Sequence, residues 1–242
     1  MTNSALSTTP DATQCLVIGM SHIDAIRRGI PKGYEECIAF VNLNNQPEVH
    51  DRERNTINLE KIPETEGQTV FLSIGGNFYN VFGLVDNPVP FFVHGTLALD
   101  ETTDRQLIPR EMMLDHFRVR LERFNKNLRV LKEHFSNSQI FHICSPPPIE
   151  SSDHIRKYPC SFAQEIEMGV APAALRRNLY DIQTAVYEEF CSALSINFID
   201  PPIVSLTETG FLKEDYFSID PTHANAKYGT LVWNQMNEII HA

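Results

Sequence analysis

The sequence predicts an α/β protein in which helices cover both faces of a parallel β-sheet. Five apolar segments, each four to six residues long, end at glycine, proline or a polar residue and have the character of buried strands. Longer segments, in which apolar residues recur at steps of three and four, have the character of amphipathic helices. Strands that alternate with helices are typical of a parallel sheet, because each crossover helix packs on one of its faces.

The predicted strands are bounded by turn-forming residues. Gly75-Gly76 follows the third strand, and the runs Pro146–Pro148 and Pro201-Pro202 follow the fourth and the fifth. Proline supplies no N–H group to a sheet ladder, so each proline run marks the end of a strand. The five predicted strands are Cys15–Gly19, Cys37–Val41, Thr69–Ile74, Gln139–Cys144 and Ile196–Ile199.

Three long helices are predicted from the spacing of apolar residues. The first spans about residues 110–135 and the second about 175–194, with Pro172 suited to its first turn. The third follows Thr222 and runs towards the end of the chain. A shorter helix is predicted over Ser21–Arg28, with Ser21 at or near its N-terminus.

The composition is that of an ordinary globular protein with an acidic surface. Hydrophobic residues make up 42% of the 242 residues and charged residues 21%, which allows one sizeable core. The formal net charge is -11, and the sequence contains no run of Lys and Arg that could bind the phosphate backbone of a nucleic acid. Nucleic acid is therefore not an expected partner. No apolar run approaches the ~18 residues that a membrane helix requires, so no membrane partner is expected either.

One domain is expected over residues 14–242, after a disordered tail over residues 1–13. The tail is polar, rich in Ser and Thr, and lacks the basic start and apolar stretch of a secretory signal. The five cysteines lie mostly in apolar segments, which favours reduced thiols in a cytoplasmic protein. No zinc-type spacing of Cys and His occurs, and no metal or other cofactor is expected. Residues 78–109 are poorly patterned and are predicted to form either a lid or substrate-binding insertion, or a structural excursion.

Three motifs fall at the carboxyl ends of strands, where such a sheet presents its functional residues. Ser21 follows the first strand at a turn into a helix, where the hydroxyl is exposed beside free N–H groups. Asn77 follows the third strand and can donate its amide to an oxyanion. Asp220 and His223 lie after the fifth strand, where the carboxylate can fix the imidazole tautomer. Together the motifs supply the parts needed for acyl transfer.

Each motif alone has a commoner structural explanation. Ser21 can cap a helix, Gly75-Gly76-Asn77 can form a simple turn, and Asp220 and His223 can be surface and capping residues. Their combination, in this order and on these strands, favours catalysis.

The motifs resemble those of the SGNH hydrolase superfamily, the GDSL-type esterases and lipases. Gly19-Met20-Ser21 matches the first block of that family, Gly75-Gly76-Asn77 its Gly-x-Asn block, and Asp220–His223 its Asp-x-x-His block. The resemblance spans roughly residues 15–240. It implies a three-layer α/β/α flavodoxin-like sandwich whose five-stranded parallel sheet has the strand order 2-1-3-4-5.

The resemblance also implies roles for particular residues. Ser21 is the expected nucleophile, and its backbone N–H is one expected oxyanion donor. The side-chain amide of Asn77 is a second donor. His223 is the expected base, and Asp220 orients it. The residues expected to bind the substrate are His22, Gly76 and Phe78.

Two positions depart from the family pattern. Met20 stands where the family has an aspartate before the serine, which is a supporting position. The second predicted strand runs into Asn42–Pro47 without the glycine whose N–H normally joins the oxyanion hole. A backbone N–H of Asn45 or Gln46 is the expected substitute, because Pro47 has none to donate.

The resemblance implies a serine esterase that forms an acyl-enzyme on Ser21. Its expected partner is a small-molecule or glycan ester, such as a sugar that carries an O-acetyl group or a short acyl ester. Two alternatives stay open. An O-acyltransferase would use the same acyl-enzyme with a sugar hydroxyl in place of water, and the missing glycine favours a non-catalytic SGNH-like binding protein.

Overall fold

The computed structural model describes residues 15–64, 67–98 and 104–242, so the predicted tail lies outside the described residues. The strands in these ranges are β1 Cys15–Gly19, β2 Ile38–Asn42, β3 His50–Asp51, β4 Thr56–Ile57, β5 Thr69–Ser73, β6 Phe91–Val93, β7 Gln106–Ile108, β8 Ile140–Ile143 and β9 Asn197–Ile199. The α-helices are α1 Ile23–Gly29, α2 Asn80–Gly83, α3 Arg110–His134, α4 Ser152–Lys157, α5 Ala163–Ile166, α6 Ala173–Leu194 and α7 Ala226–Ile240. Short 3₁₀ helices cover Glu35–Cys37, Leu59–Lys61, Cys160–Phe162, Ile203–Ser205 and Glu214–Tyr216. Every helix in the described ranges is too short or too polar to span a bilayer.

One all-parallel sheet forms the centre of the molecule, with its strands in the order β2-β1-β5-β8-β9. These are the five strands predicted from the sequence, in the predicted order, and their ends differ from the prediction by at most one residue. At the carboxyl edge Gly19 pairs with both Asn42 and Ser73, so β2, β1 and β5 finish level. The loops that follow them therefore start side by side.

The two faces of the sheet bury separate apolar layers. Along β1, Leu16 and Ile18 pack with the apolar residues of α3 and α6, whereas Cys15 and Val17 pack with those of α1 and α7. Successive side chains of a strand point to opposite faces, and both faces must be covered when the strand is apolar throughout. The three-layer α/β/α sandwich is thereby confirmed.

The short strands outside the main sheet were not predicted. β3 and β4 pair antiparallel, and β6 and β7 form a parallel pair within the segment 78–109. Hydrogen bonds hold this segment together and join it to the rest of the fold. Arg105 makes two 2.8 Å hydrogen bonds to Asp86 within the segment. The Asn178 side chain on α6 donates to the carbonyls of Val93 and Leu97. The described part of the segment thus has the contacts of an integral part of the fold.

Helices α1 and α7 cross with their backbones in contact. A Cβ atom on Gly229 would overlap the carbonyl of Ala25, and one on Gly29 would overlap the backbone of α7 at Thr230. Such an approach requires that neither helix carries a side chain at the crossing. Ser21 lies two residues before α1 and His223 lies three residues before α7, so this crossing sets the separation of the two residues.

His142 is a buried titratable group that should make stability depend on pH. Its ring on β8 stacks between Tyr187 and Phe198, at centroid distances of 5.0 and 5.7 Å. Burial lowers the pKa of His142 to about 4, against an unfolded value of about 6.5. The folded state therefore binds fewer protons than the unfolded state between these values, and the unfolding free energy falls as pH drops through that window.

We expect His142→Phe, which keeps the aromatic stack, to remove most of this acid sensitivity. The loss of unfolding free energy between about pH 7 and pH 4 should shrink by about 3 kcal/mol relative to wild type. Urea unfolding at a series of pH values measures the difference. Parallel pH profiles for the two proteins would show that His142 does not bind a proton on unfolding.

Candidate active site

The Ser21 side chain points at His223. Its Oγ lies 2.8 Å from Nε2 of the imidazole. Helix α1 begins at Ile23 rather than at Ser21, and within the described residues no side chain caps it. The Ser21 N–H also finds no acceptor in the described part of the chain. The serine therefore offers a hydroxyl bonded to a base and a free backbone donor, rather than a helix cap.

The Asp220 carboxylate is held by a local turn. Its Oδ1 accepts hydrogen bonds from the backbone N–H groups of Thr222 and His223, at 2.8 and 2.7 Å, and lies 3.0 Å from Nδ1 of His223. Asp favours this kind of turn, in which the side chain folds back on the next residues, so the three-residue spacing suffices to bring the two groups together. Thr222 Oγ1 also lies 3.2 Å from Nδ1.

The hydrogen bonds of Asp220 fix the tautomer of His223. Burial opposes ionisation of the carboxyl group, but the hydrogen bonds from His223 and from the Thr222 N–H outweigh it and hold the pKa of Asp220 well below its usual range. An ionised carboxylate only accepts, so Nδ1 of His223 carries the proton. In the neutral ring Nε2 is then an acceptor, to which the Ser21 hydroxyl donates.

Two residues that the sequence analysis did not identify anchor this loop. The Nε2–H of His154 on α4 donates to the carbonyls of Ser218 and Asp220, at 3.0 and 3.3 Å. Asn225 caps α7 with its Oδ1, and its amide nitrogen donates to the carbonyls of Asp215 and Phe217. Asn225 stands directly before a helix, so the N-cap preference of Asn was a usable sequence signal.

Asn77 follows a turn that only glycine adopts readily. Gly75 and Gly76 have φ values of 74° and 103°, in the left-handed region. The Oδ1 of Asn77 accepts a hydrogen bond of 3.3 Å from the side-chain amide of Asn80. Because the oxygen is engaged, the amide nitrogen of Asn77 is left as the donor.

The fold is shared with solved structures of low sequence identity. The chain aligns over 94% of its length, and 83% of the other, with a candidate platelet activating factor from Streptococcus pneumonia at a TM-score of 0.54 and 13% identity. It aligns over 95% of its length, and 86% of the other, with a candidate acylhydrolase from Bacteroides fragilis at a TM-score of 0.51 and 9% identity. The chain shares the three-layer α/β/α fold of these structures. No protein-family model matches the sequence, and no curated protein is significantly similar to it.

His22 lies between His223 and the turn after β5. The residue is 5% exposed, its ring lies 5.2 Å from the ring of His223, and a Cβ atom on Gly76 would lie 3.3 Å from it. Burial, and then the neighbouring His223, lower the pKa of His22 to about 3. The Asn77 side chain acts on this pKa in the opposite direction and is outweighed. His22 is therefore neutral at physiological pH.

The pocket beside Ser21 contains one of the three residues expected to bind the substrate. His22 lines it, whereas Gly76 and Phe78 do not. The Phe78 ring instead packs on Phe82 and Phe117, with centroids 5.5 and 5.2 Å apart. The pocket has a volume of about 200 Å³ and is lined by Ser21, His22, Asp24, Ala25, Arg28, Ser218, Asp220, His223 and Ala224.

Asn45 and Gln46 are the two residues in the loop after β2 whose N–H groups were expected to replace that of the oxyanion-hole glycine. The N–H of Asn45 cannot serve, because it donates to the Asn42 carbonyl at 3.1 Å. The N–H of Asn44 is taken by Oδ1 of Asn42, and that of Leu43 by Gly19. In the described chain the Gln46 N–H has no acceptor, and the Gln46 carbonyl is fixed by the N–H groups that follow it. Of the two expected substitutes, only Gln46 stays a candidate.

Proposed function

We propose that the protein hydrolyses a carboxylic ester through an acyl-enzyme on Ser21. The observation that carries the proposal is the continuous chain from Asp220 Oδ1 to His223 Nδ1, at 3.0 Å, and from His223 Nε2 to Ser21 Oγ, at 2.8 Å. An ionised carboxylate, a fixed tautomer and a base within reach of the hydroxyl proton are the requirements for activating a serine. The SGNH hydrolase fold supports the same chemistry.

The mechanism follows from these positions. Oγ of Ser21 attacks the ester carbonyl carbon while its proton passes to Nε2 of His223. The negative charge that develops on the carbonyl oxygen is stabilised by the Ser21 N–H, the Asn77 amide and the Gln46 N–H. The imidazolium of His223, stabilised by Asp220, then gives its proton to the departing alcohol. Water repeats the sequence on the acyl-enzyme and releases the acid and free Ser21.

The shape and polarity of the pocket favour a short acyl group. At about 200 Å³ the pocket is below the usual size of ligand sites, and Asp24, Arg28 and Ser218 make its lining polar. A long acyl chain needs an apolar tunnel, whereas an acetyl group does not. The pocket therefore supports acetyl or another short acyl ester as the substrate.

The alcohol part of the substrate has a wider place to bind. A groove of about 410 Å³ shares Ser218 with the Ser21 pocket and includes Lys157, Tyr158, Glu214 and Phe217. Aromatic faces beside charged groups suit a sugar, which presents apolar ring faces and hydroxyl edges. The His223 side chain is 30% exposed, so water reaches the acyl-enzyme, and this favours hydrolysis over transfer to another alcohol.

The proposal is tested with p-nitrophenyl acetate, butyrate and octanoate. We expect kcat/KM to be highest for acetate and at least about tenfold lower for octanoate, because the longer chain exceeds the pocket. The same assay with added glycerol or methyl glucoside detects acyl transfer as a new ester. A preference for octanoate would contradict the short-acyl proposal, and transfer faster than hydrolysis would favour the acyltransferase.

A further inference from the structure

The side chain of Gln183 on α6 holds both sides of Asn77. It is 1% exposed, and its Nε2 donates to the carbonyl of Gly76 at 2.7 Å. Its Oε1 accepts from the N–H of Tyr79 at 2.9 Å. The donor end of one amide thus binds the residue before Asn77, and the acceptor end binds a backbone N–H two residues after it. The amide cannot rotate without losing both bonds.

The segment between β5 and α2 needs such a support. Its glycines adopt left-handed conformations and have more backbone freedom to lose than any other residue. Gly76 is confined on its other side, where a Cβ would lie 2.7 Å from Cβ of Ser145 and 3.3 Å from the His22 ring. Gln183 Nε2 also lies 3.5 Å from Ser145 Oγ, which keeps it in the same cluster.

Burial of this amide is not explained by packing alone. The buried face of α6 around it consists largely of apolar side chains, among them Leu179, Ile182 and Val186. A buried amide costs free energy unless both of its ends are bonded, and methionine would fill a similar volume without that requirement. The bonds to the Asn77 segment are therefore the reason to place a glutamine at this position.

We propose that Gln183 is a positioning residue for the oxyanion hole. By fixing the Gly76 carbonyl and the Tyr79 N–H, it sets the backbone of Asn77 so that the amide nitrogen faces the developing negative charge. Asn80 completes the arrangement by occupying Oδ1 of Asn77. Gln183 itself touches no substrate. The inference rests on the proposed function, because it assigns Asn77 a part in stabilising the tetrahedral intermediate.

A double-mutant cycle between Gln183→Met and Asn77→Ala tests the inference. With p-nitrophenyl acetate, whose good leaving group keeps slow variants measurable, Gln183→Met should lower kcat by about 10- to 100-fold and change KM by less than about threefold. In the Asn77→Ala background Gln183→Met should lower kcat by less than about threefold, because the amide that Gln183 positions is no longer present. Gln183→Glu keeps the acceptor for Tyr79 and should give a smaller but equally non-additive loss.

Asn178 provides a matched control on the same helix. Its buried amide donates to the carbonyls of Val93 and Leu97, at 3.0 and 2.8 Å, and accepts from the Leu97 N–H. Asn178→Leu removes an equivalent set of side-chain to backbone hydrogen bonds, but from the segment of Val93 and Leu97, which does not contain Asn77. It should lower the melting temperature as Gln183→Met does, and kcat should stay within about twofold of wild type.

The outcomes distinguish a failure of the role given to Gln183 from a failure of the proposed esterase function. An equal factor for Gln183→Met in the wild-type and Asn77→Ala backgrounds would show that Gln183 acts independently of Asn77, and the inference would be wrong while the esterase proposal stands. An equal kcat loss in Asn178→Leu would also overturn it, because the loss would then report general loosening of the fold. Absence of ester hydrolysis in the wild type would instead overturn the proposed function. If Gln183→Met does not fold, the double-mutant cycle with Asn77→Ala is measured with Gln183→Glu instead.

Discussion

Ser21→Ala is expected to abolish ester hydrolysis and leave the fold intact. The substitution removes the attacking oxygen, and the other groups then act on a bound ester that no nucleophile reaches. From the losses seen when the nucleophile of a catalytic triad is removed, we expect kcat for p-nitrophenyl acetate to fall by at least about 10⁴-fold. Apart from the 2.8 Å contact with His223, the described residues give the Ser21 hydroxyl no hydrogen bond to lose.

Three measurements check this prediction together. Hydrolysis by purified wild type and variant gives the rate difference, and thermal unfolding shows whether the variant is folded. A fluorophosphonate probe should phosphonylate wild-type Ser21 with loss of HF, which adds the mass of the probe less that of HF, and should leave the variant unlabelled. Hydrolysis by the folded variant at a rate near that of wild type would exclude Ser21 as the nucleophile. A wild type inactive on all esters would favour the binding-protein alternative.

Asp220→Asn should produce the second large loss. The asparagine keeps the size of the side chain and can still accept from the Thr222 and His223 N–H groups, but it removes the negative charge beside Nδ1. His223 is then free to take the other tautomer, in which Nε2 carries the proton and cannot accept one from Ser21. We expect kcat to fall by about 10³- to 10⁴-fold, with a much smaller change in KM.

The control for charge removal is Asp215→Asn. Asp215 is exposed, lies in the same approach to α7 and uses its backbone carbonyl to accept from Asn225. Its variant should retain wild-type kcat. A loss of less than about tenfold in Asp220→Asn would mean that the Thr222 hydroxyl, 3.2 Å from Nδ1, suffices to orient His223, and the role given to Asp220 would be wrong.

The features that could be predicted from the sequence are those decided by residues close together in the chain. The central strands are continuous apolar runs, and both faces of such a run must be covered, so strand ends were located to within one residue. β6 and β7 are three residues long, which is too short for any periodicity to show. Asp220 and His223 could be paired from their spacing, since the turn that joins them is local.

The rest of the site depends on contacts between distant residues. Gln183 lies about a hundred positions from Gly76, to which it donates, and no residue near it in the sequence indicates this contact. Phe78 adjoins Asn77 in sequence, yet it faces the core, because the left-handed glycines decide the direction of the following side chains. The loss of the Asn45 donor depends on a turn closed by Asn42. None of these geometries can be read from residue types alone.

The glycine-to-glycine crossing of α1 and α7 has a consequence for how the specificity of the proposed hydrolase can diversify. The hydroxyl and the imidazole stand at the amino ends of two helices that cannot slide apart without opening their shared contact. Their separation is therefore built into the framework, and the proton path is assembled before any ester arrives. The surface loops that bound the groove can change in length and composition, and so alter which alcohol is accepted, without displacing the reacting pair.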